Sequence, residues 1–96
     1  MTARTVYKYP FSLHGLTTVT LPEGAQVLHA DRDPAYPEGQ GALALWALVD
    51  PTVPPDVRTP LVVLGTGHGC PPNTGEHIGS TVDGPFVWHI FRAVGA

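Results

Sequence analysis

Residues 65–78 hold most of the side chains able to do chemistry. The run Gly65-Thr66-Gly67-His68-Gly69-Cys70 is glycine-rich and carries an imidazole and the chain's single thiol. Backbone N–H groups of such loops can cradle phosphate. A nucleotide loop of the usual kind also needs a lysine and a Ser/Thr entering a helix, and a dinucleotide fingerprint needs a βαβ setting. Neither is present here, so a strand ending in glycine-dependent turns explains the run as well. His68, Cys70, Glu76, His77 and His89 are all metal-ligating types, and His68 with Cys70 or Glu76 with His77 are close pairs. Zinc takes such donors, but the spacing matches no standard zinc module, so no metal is expected. Cys70 with His68 or His77 could also act as nucleophile and base, although no third, orienting group can be picked out.

A second set is aromatic and basic. Trp46 and Trp88 are amphipathic rings that serve either as core or as docking surfaces. Beside Arg58 or Arg92, with His68 and His89 near, either tryptophan could stack a ring while an arginine pairs a phosphate. The candidate ligand-binding set is therefore Trp46, Arg58, His68, Trp88, His89 and Arg92. Asp31, Asp33, Glu38, Asp50 and Asp56 lie in or beside two loops without the spaced Asp/Asn pattern and closing Glu of a calcium loop, and read as a solvated acidic rim.

The elements that must position these residues are short. Proline and glycine number 11 each, and no stretch keeps a helical period. Strand-like runs occupy residues 5–9, 17–21, 26–32, 42–49, 58–65, 78–83 and 86–92. Pro10 either ends the first or marks it as an edge strand. Pro22-Glu23-Gly24-Ala25 is a turn, which predicts a hairpin between the second and third strands. Residues 33–41, 50–56 and 66–76 read as loops, and Asp83-Gly84-Pro85 as a tight turn. Residues 42–49 are almost wholly apolar, which fits a buried strand or a short buried helix. In the last run Phe86, Trp88 and Ile90 share one face and Val87, His89 and Phe91 the other. The expected architecture is a single all-β domain over residues 1–96, a small barrel or sandwich of about six or seven short strands.

Charge and length exclude several classes. The 96 residues suffice for one modest core. The net charge is −3, and the cations Arg4, Lys8, Arg32, Arg58 and Arg92 are dispersed, which disfavours nucleic acid and anionic membranes as partners. One cysteine allows no internal disulfide, and no apolar run reaches the length of a membrane span. No secretory signal opens the chain, so a reducing cytoplasm is expected, with a virion component made there as the alternative.

Six runs taken in order resemble a family of small, uncharacterised bacteriophage and prophage proteins, a domain of unknown function. They are Tyr7-Lys8-Tyr9-Pro10, Pro22-Glu23-Gly24-Ala25, Leu45-Trp46-Ala47-Leu48-Val49-Asp50-Pro51, Gly65-Thr66-Gly67-His68, Gly75-Glu76-His77-Ile78-Gly79 and Val87-Trp88-His89-Ile90-Phe91. The resemblance covers nearly the whole chain. It departs from the family pattern in a longer loop at residues 33–41 and in His77, where a tyrosine is more usual. The resemblance implies a short phage-encoded protein, whose expected cytoplasm is then the host's, and supplies no activity or catalytic residue.

The expected function is that of a non-enzymatic accessory protein that binds a host defence protein or a small signalling molecule, with no cofactor and with self-association as a further option. The alternatives are a virion component, such as a capsid or tail decoration protein, and a small Cys/His-dependent enzyme built on Cys70.

Overall fold

The computed structural model describes residues 3–13 and 17–94. Seven strands form two antiparallel sheets, and no helix occurs among the described residues. They are β1 (Thr5–Ser12), β2 (Thr18–Leu21), β3 (Gln26–Arg32), β4 (Ala42–Val49), β5 (Val57–Gly65), β6 (Thr74–Asp83) and β7 (Phe86–Ala93). The first sheet has the order β1-β4-β3 and the second β2-β5-β7-β6. They stack as a sandwich and do not close into a barrel, which decides between the two architectures the sequence left open.

Residues 42–49 are a strand. Alanine and leucine favour helix only weakly, and here β1 and β3 pair with β4 along both edges, which satisfies its backbone. Leu43, Leu45, Ala47 and Val49 point inward and are fully buried, against Phe11, Val19, Leu21, Ala30, Leu61 and Ile90. Pro10 lies within β1, opposite Ala44, and β1 is an edge strand, where a missing N–H is tolerated. A bulge at Leu28 shifts the β3–β4 register between Val27 and His29.

The hairpin expected between β2 and β3 does not form. The turn at residues 22–25 closes with the Ala25 N–H on the Pro22 carbonyl (3.2 Å), and Gly24 takes φ +81° as foreseen. The chain leaves that turn on the opposite sheet: β2 pairs with β5, and β3 with β4. Turn chemistry identifies where a chain reverses, but not which partner the returning strand meets. β5 changes neighbour midway. Residues 57–60 pair with β2 and residues 61–65 with β7. β6 begins at Thr74, inside the expected 66–76 loop, and reaches regular pairing with β7 only after register shifts on either side of His77.

The sheets come closest where β3 passes β6. A Cβ at Gly79 would run into the Ala30 carbonyl oxygen and lie 3.1 Å from the Ala30 nitrogen. Beside this contact the Arg32 N–H donates to Thr81 Oγ1 at 3.1 Å. Only glycine permits this approach, and it seals one side of the core.

Candidate functional site

One end of the sandwich gathers three rings. β6 and β7 are joined by the two-residue loop Gly84–Pro85, with Gly84 at φ +60°, the first-position glycine such a tight hairpin needs. This loop brings Phe86 and Trp88 onto the inner side of β7, where their rings stack at 5.3 Å and 24°. β5 ends in a turn in which the His68 N–H donates to the Gly65 carbonyl (3.1 Å) and the Gly65 N–H donates to His68 Nδ1 (3.2 Å). A side chain at Gly65 would meet His68 Cε1 at 2.8 Å and Trp88 Cζ3 at 3.2 Å, so the bare glycine lets both rings lie over the strand end. The run at residues 65–70 is thus a strand end and turn, with Gly67 at φ +89°.

Asp83 closes the base of this end. It is 1% exposed and accepts from the Gly39 N–H (2.6 Å), the Gly41 N–H (3.0 Å) and the Trp88 indole Nε1 (3.2 Å). Burial pushes its carboxyl upward. The two backbone N–H groups, the indole and the charge of Arg32 outweigh that push and hold it below the usual carboxylate range. Three rings, Leu13, Val63, Asp83, Gly39 and Gly41 line a cleft of about 420 Å³ that is partly open to solvent. An adjoining hollow of about 380 Å³ over Thr66, Pro85 and Val87 shares His68, Phe86 and Trp88 with it. The volumes and the apolar wall suit a small organic ligand. A further hollow of about 370 Å³ lies along the same loop, lined by Phe11, Asp33, Tyr36 and Ala42 among others, and none of the three rings of this end reaches it.

The acidic rim is only partly a rim. Asp33 is 1% exposed, a correction to its expected solvation. It accepts from Lys8 Nζ (2.9 Å) and the Ala35 N–H (3.0 Å), and the Asp33 N–H donates to the Ala42 carbonyl (2.9 Å). Burial raises its carboxyl, but Lys8, the Ala35 N–H and the Arg32 charge bring it below the usual value. Asp33 and Asp83 therefore pin the 33–41 loop from two sides, which turns the least patterned part of the sequence into a fixed wall. Asp50 remains on the exterior and caps its own turn through the Thr52 N–H and hydroxyl.

The candidate ligand set does not assemble as one site. His68 and Trp88 meet in the cavity. Trp46 lies on the outer face of the first sheet, stacked on His29 at 6.2 Å. Arg58 is exposed on the first half of β5. Arg92 lies opposite Leu61, its Nε buried without a hydrogen-bond partner. His89 is on the outer face of the second sheet, where Ser80 Oγ contacts both His77 Nε2 (2.8 Å) and His89 Nδ1 (2.9 Å), and Thr66 Oγ1 contacts His89 Nε2 (2.9 Å). No arginine or lysine lines the cavity, so stacking and phosphate pairing are not combined there.

Cys70 is exposed. The hydrogen bonds of His68 Nδ1 and His77 Nε2 go to Gly65 and Ser80. Among the described residues no three His, Cys, Asp or Glu side chains are placed to hold a metal, and no helix is long and apolar enough to cross a membrane. Sequence reasoning missed Asp83, Gly39, Gly41, Ser80 and Thr66 as positioning residues. The Asp-Gly-Pro turn was visible, but nothing local marks its aspartate as the acceptor for a loop more than 40 residues away.

The family model of a domain of unknown function (DUF7352) matches residues 2–95. No curated protein and no solved structure matches the chain.

Proposed function

We propose that this chain, which belongs to the DUF7352 family of unknown function, is a non-enzymatic binding module that holds a small, flat, largely apolar molecule in the Trp88 cavity. The observation that carries this reading is the convergence of Trp88, Phe86 and His68 around about 420 Å³, on a base fixed by Asp83. Stacked rings offer faces to a planar group, and a rigid wall lowers the ordering cost of binding. Asp83 already accepts three hydrogen bonds, so it serves the site as a foundation more than as a reactive acid. The motif resemblance to small phage proteins supports a phage-encoded accessory that sequesters a small signalling molecule in the host cytoplasm, acting by occupancy.

Native mass spectrometry of the protein recovered gently from producing cells tests this. The expected spectrum shows an added mass of about a few hundred daltons, the size such a cavity encloses. That mass should be lost in a folded Trp88→Ala variant. A bare wild-type protein, together with unquenched tryptophan emission across a panel of nucleotides and aromatic metabolites, would count against it.

A second reading, a virion component, draws on different features. β1 pairs on one edge only, and the β6–β7 part of the second sheet exposes Val82 and Val87, both of which suit assembly. Detection of the chain in purified particles, with none free in infected cells, would favour it over the first.

A further inference from the structure

Most of the hydrogen-bonding groups that line the Trp88 cleft are already spent on one another. Asp83 is the one acid among the lining residues. Its Oδ1 accepts from the Gly39 N–H at 2.6 Å, and its Oδ2 from the Gly41 N–H at 3.0 Å and the Trp88 indole at 3.2 Å. The Gly41 carbonyl accepts from the Leu13 N–H at 3.2 Å. The indole and the two glycine N–H groups therefore have no proton left to give a ligand. The carboxylate holds three donors, is shut off from solvent, and repels any anion brought near it.

His68 is the exception. Its Nδ1 accepts from the Gly65 N–H at 3.2 Å, and a backbone N–H only donates, so Nδ1 carries no proton. The imidazole proton is assigned by that bond to Nε2. His68 Cε1 and Nδ1 lie 2.8 and 3.0 Å from where a Cβ on Gly65 would stand, and Trp88 Cζ3 lies 3.2 Å from the same point. The bare glycine thus seats the imidazole beside the indole. Nε2 follows Cε1 in the ring and has no partner among the described residues. His68 lines both the cleft and the hollow next to it. The turn after β5 fixes this ring in one tautomer, with one uncommitted donor on an otherwise apolar wall.

We infer that the ligand of this cleft is an uncharged, planar heteroaromatic molecule whose ring nitrogen or carbonyl accepts a hydrogen bond from His68 Nε2 while its face lies on the Phe86–Trp88 pair. The inference rests on the ligand reading above and adds the chemistry that selects among flat molecules. The stacked rings accept the face of any planar group. The imidazole discriminates, because a molecule that covers it without offering an acceptor takes Nε2 from water and returns nothing. A ligand that only donates meets acceptors already in use at Asp83 and Gly41. A carboxylate or phosphate on the ligand would face Asp83 with no lysine or arginine among the lining residues to pair it.

Titration of the isotope-labelled full chain with quinoline, indole and quinaldate, read on the two tryptophan indole N–H signals by magnetic resonance, is the test. The probes share a flat bicyclic shape. Quinoline presents an acceptor, indole a donor, and quinaldate is quinoline with a carboxylate. Trp46, on the outer face of the first sheet, is the internal control. Quinoline should move the Trp88 signal and bind about tenfold more tightly than indole or quinaldate. His68→Phe keeps a ring over Gly65 without its nitrogens and should erase the preference over indole. Equal binding of quinoline and indole, tighter binding of quinaldate, or a preference that persists in a folded His68→Phe chain overturns the inference and leaves the flat-ligand reading standing. A Trp88 signal that ignores all three probes overturns both.

Discussion

The two outward faces of this sandwich are built from the same kind of strand and treat their polar groups in opposite ways. On the first sheet, Lys8, His29 and Asp31 surround Trp46, and Lys8 and His29 reach carboxylates: Lys8 Nζ lies 2.9 Å from Asp33 Oδ1, and His29 Nε2 lies 3.1 Å from Asp31 Oδ2. On the second sheet Thr66, His89, Ser80 and His77 are linked one to the next by hydrogen bonds and flanked by Val82, Val87, Leu64 and Phe91. Water can replace an exposed ion pair at little cost. The row on the second sheet pairs Ser80 and the His89 ring internally and leaves only its two ends, the Thr66 hydroxyl and His77 Nδ1, for water. The difference teaches that apolar content alone does not mark a contact surface, because Val6 and Leu28 are about half exposed on or beside the charged face too. What separates the faces is whether each polar group depends on solvent.

Both faces depend on the sheets staying in register, so the most damaging way to break the comparison is to force the sheets apart. Gly79→Val puts branched carbon into the Ala30 backbone, which cannot retreat without moving β3. The expected loss is about 3 kcal/mol or more, read as a fall in the urea midpoint. A near-neutral result would mean that β3 and β6 do not pack as described.

The next largest effect separates the two anchors of the 33–41 loop. Asp83→Asn keeps the shape but turns one acceptor into an N–H group among the donors from Gly39, Gly41 and Trp88. Stability should drop by about 2 kcal/mol. The Trp88 emission should shift as the indole loses its partner, and any ligand of the cavity should bind more weakly. A drop in stability with unchanged tryptophan emission would place the 33–41 loop elsewhere than over Trp88.

Much of this arrangement was legible in the sequence and some was not. Alternation at residues 86–92 and the turn-bounded run at 26–32 located β7 and β3, because a strand's in–out period and its flanking turns are local properties, whereas the wholly apolar run at 42–49 leaves strand and helix open, which the pairing of β4 decides. The positive-φ glycines Gly24 and Gly84 lie in the turns that proline and glycine marked. Pairing partners were not legible. The Pro22–Ala25 turn looks like a hairpin but passes between sheets, and Trp46 and Trp88, alike in type and strand setting, ended on different sheets. Burial of Asp33 and Asp83 was equally hidden, since it depends on backbone N–H groups delivered by a loop with no pattern of its own.

Acid sharpens the same contrast at intermediate size. Asp31, Asp33 and Asp83 all lie below the ordinary carboxylate value: burial raises each, and hydrogen bonds to Thr81, Lys8 and the Gly39 backbone, with other donors, prevail. The unfolded chain therefore binds more protons than the native one as pH drops through the ordinary Asp range near 3.8 and below. The stability these carboxylates contribute is complete above that range and lost as pH falls through their native values. Urea midpoints should be flat from neutrality to about pH 5 and then fall, and Asp83→Asn should fall less steeply. An equally steep acid limb in the variant would assign the protons to other groups.

The smallest effect is expected at Lys8. Its ammonium is more than a third exposed, so water already screens the pair with Asp33, whereas Asp33 itself is buried and keeps the Ala35 N–H and the nearby Arg32 charge. Lys8→Met should cost about 1 kcal/mol and move the acid limb toward higher pH, because Asp33 loses one of the groups that favour its charged form. A cost equal to that of Asp83→Asn would mean that Lys8 is the main counter-charge of a buried ion and not a screened surface partner. The first sheet's face would then be as dependent on its internal pairing as the second, and the distinction between a solvated face and a coverable one would have to rest on net charge alone.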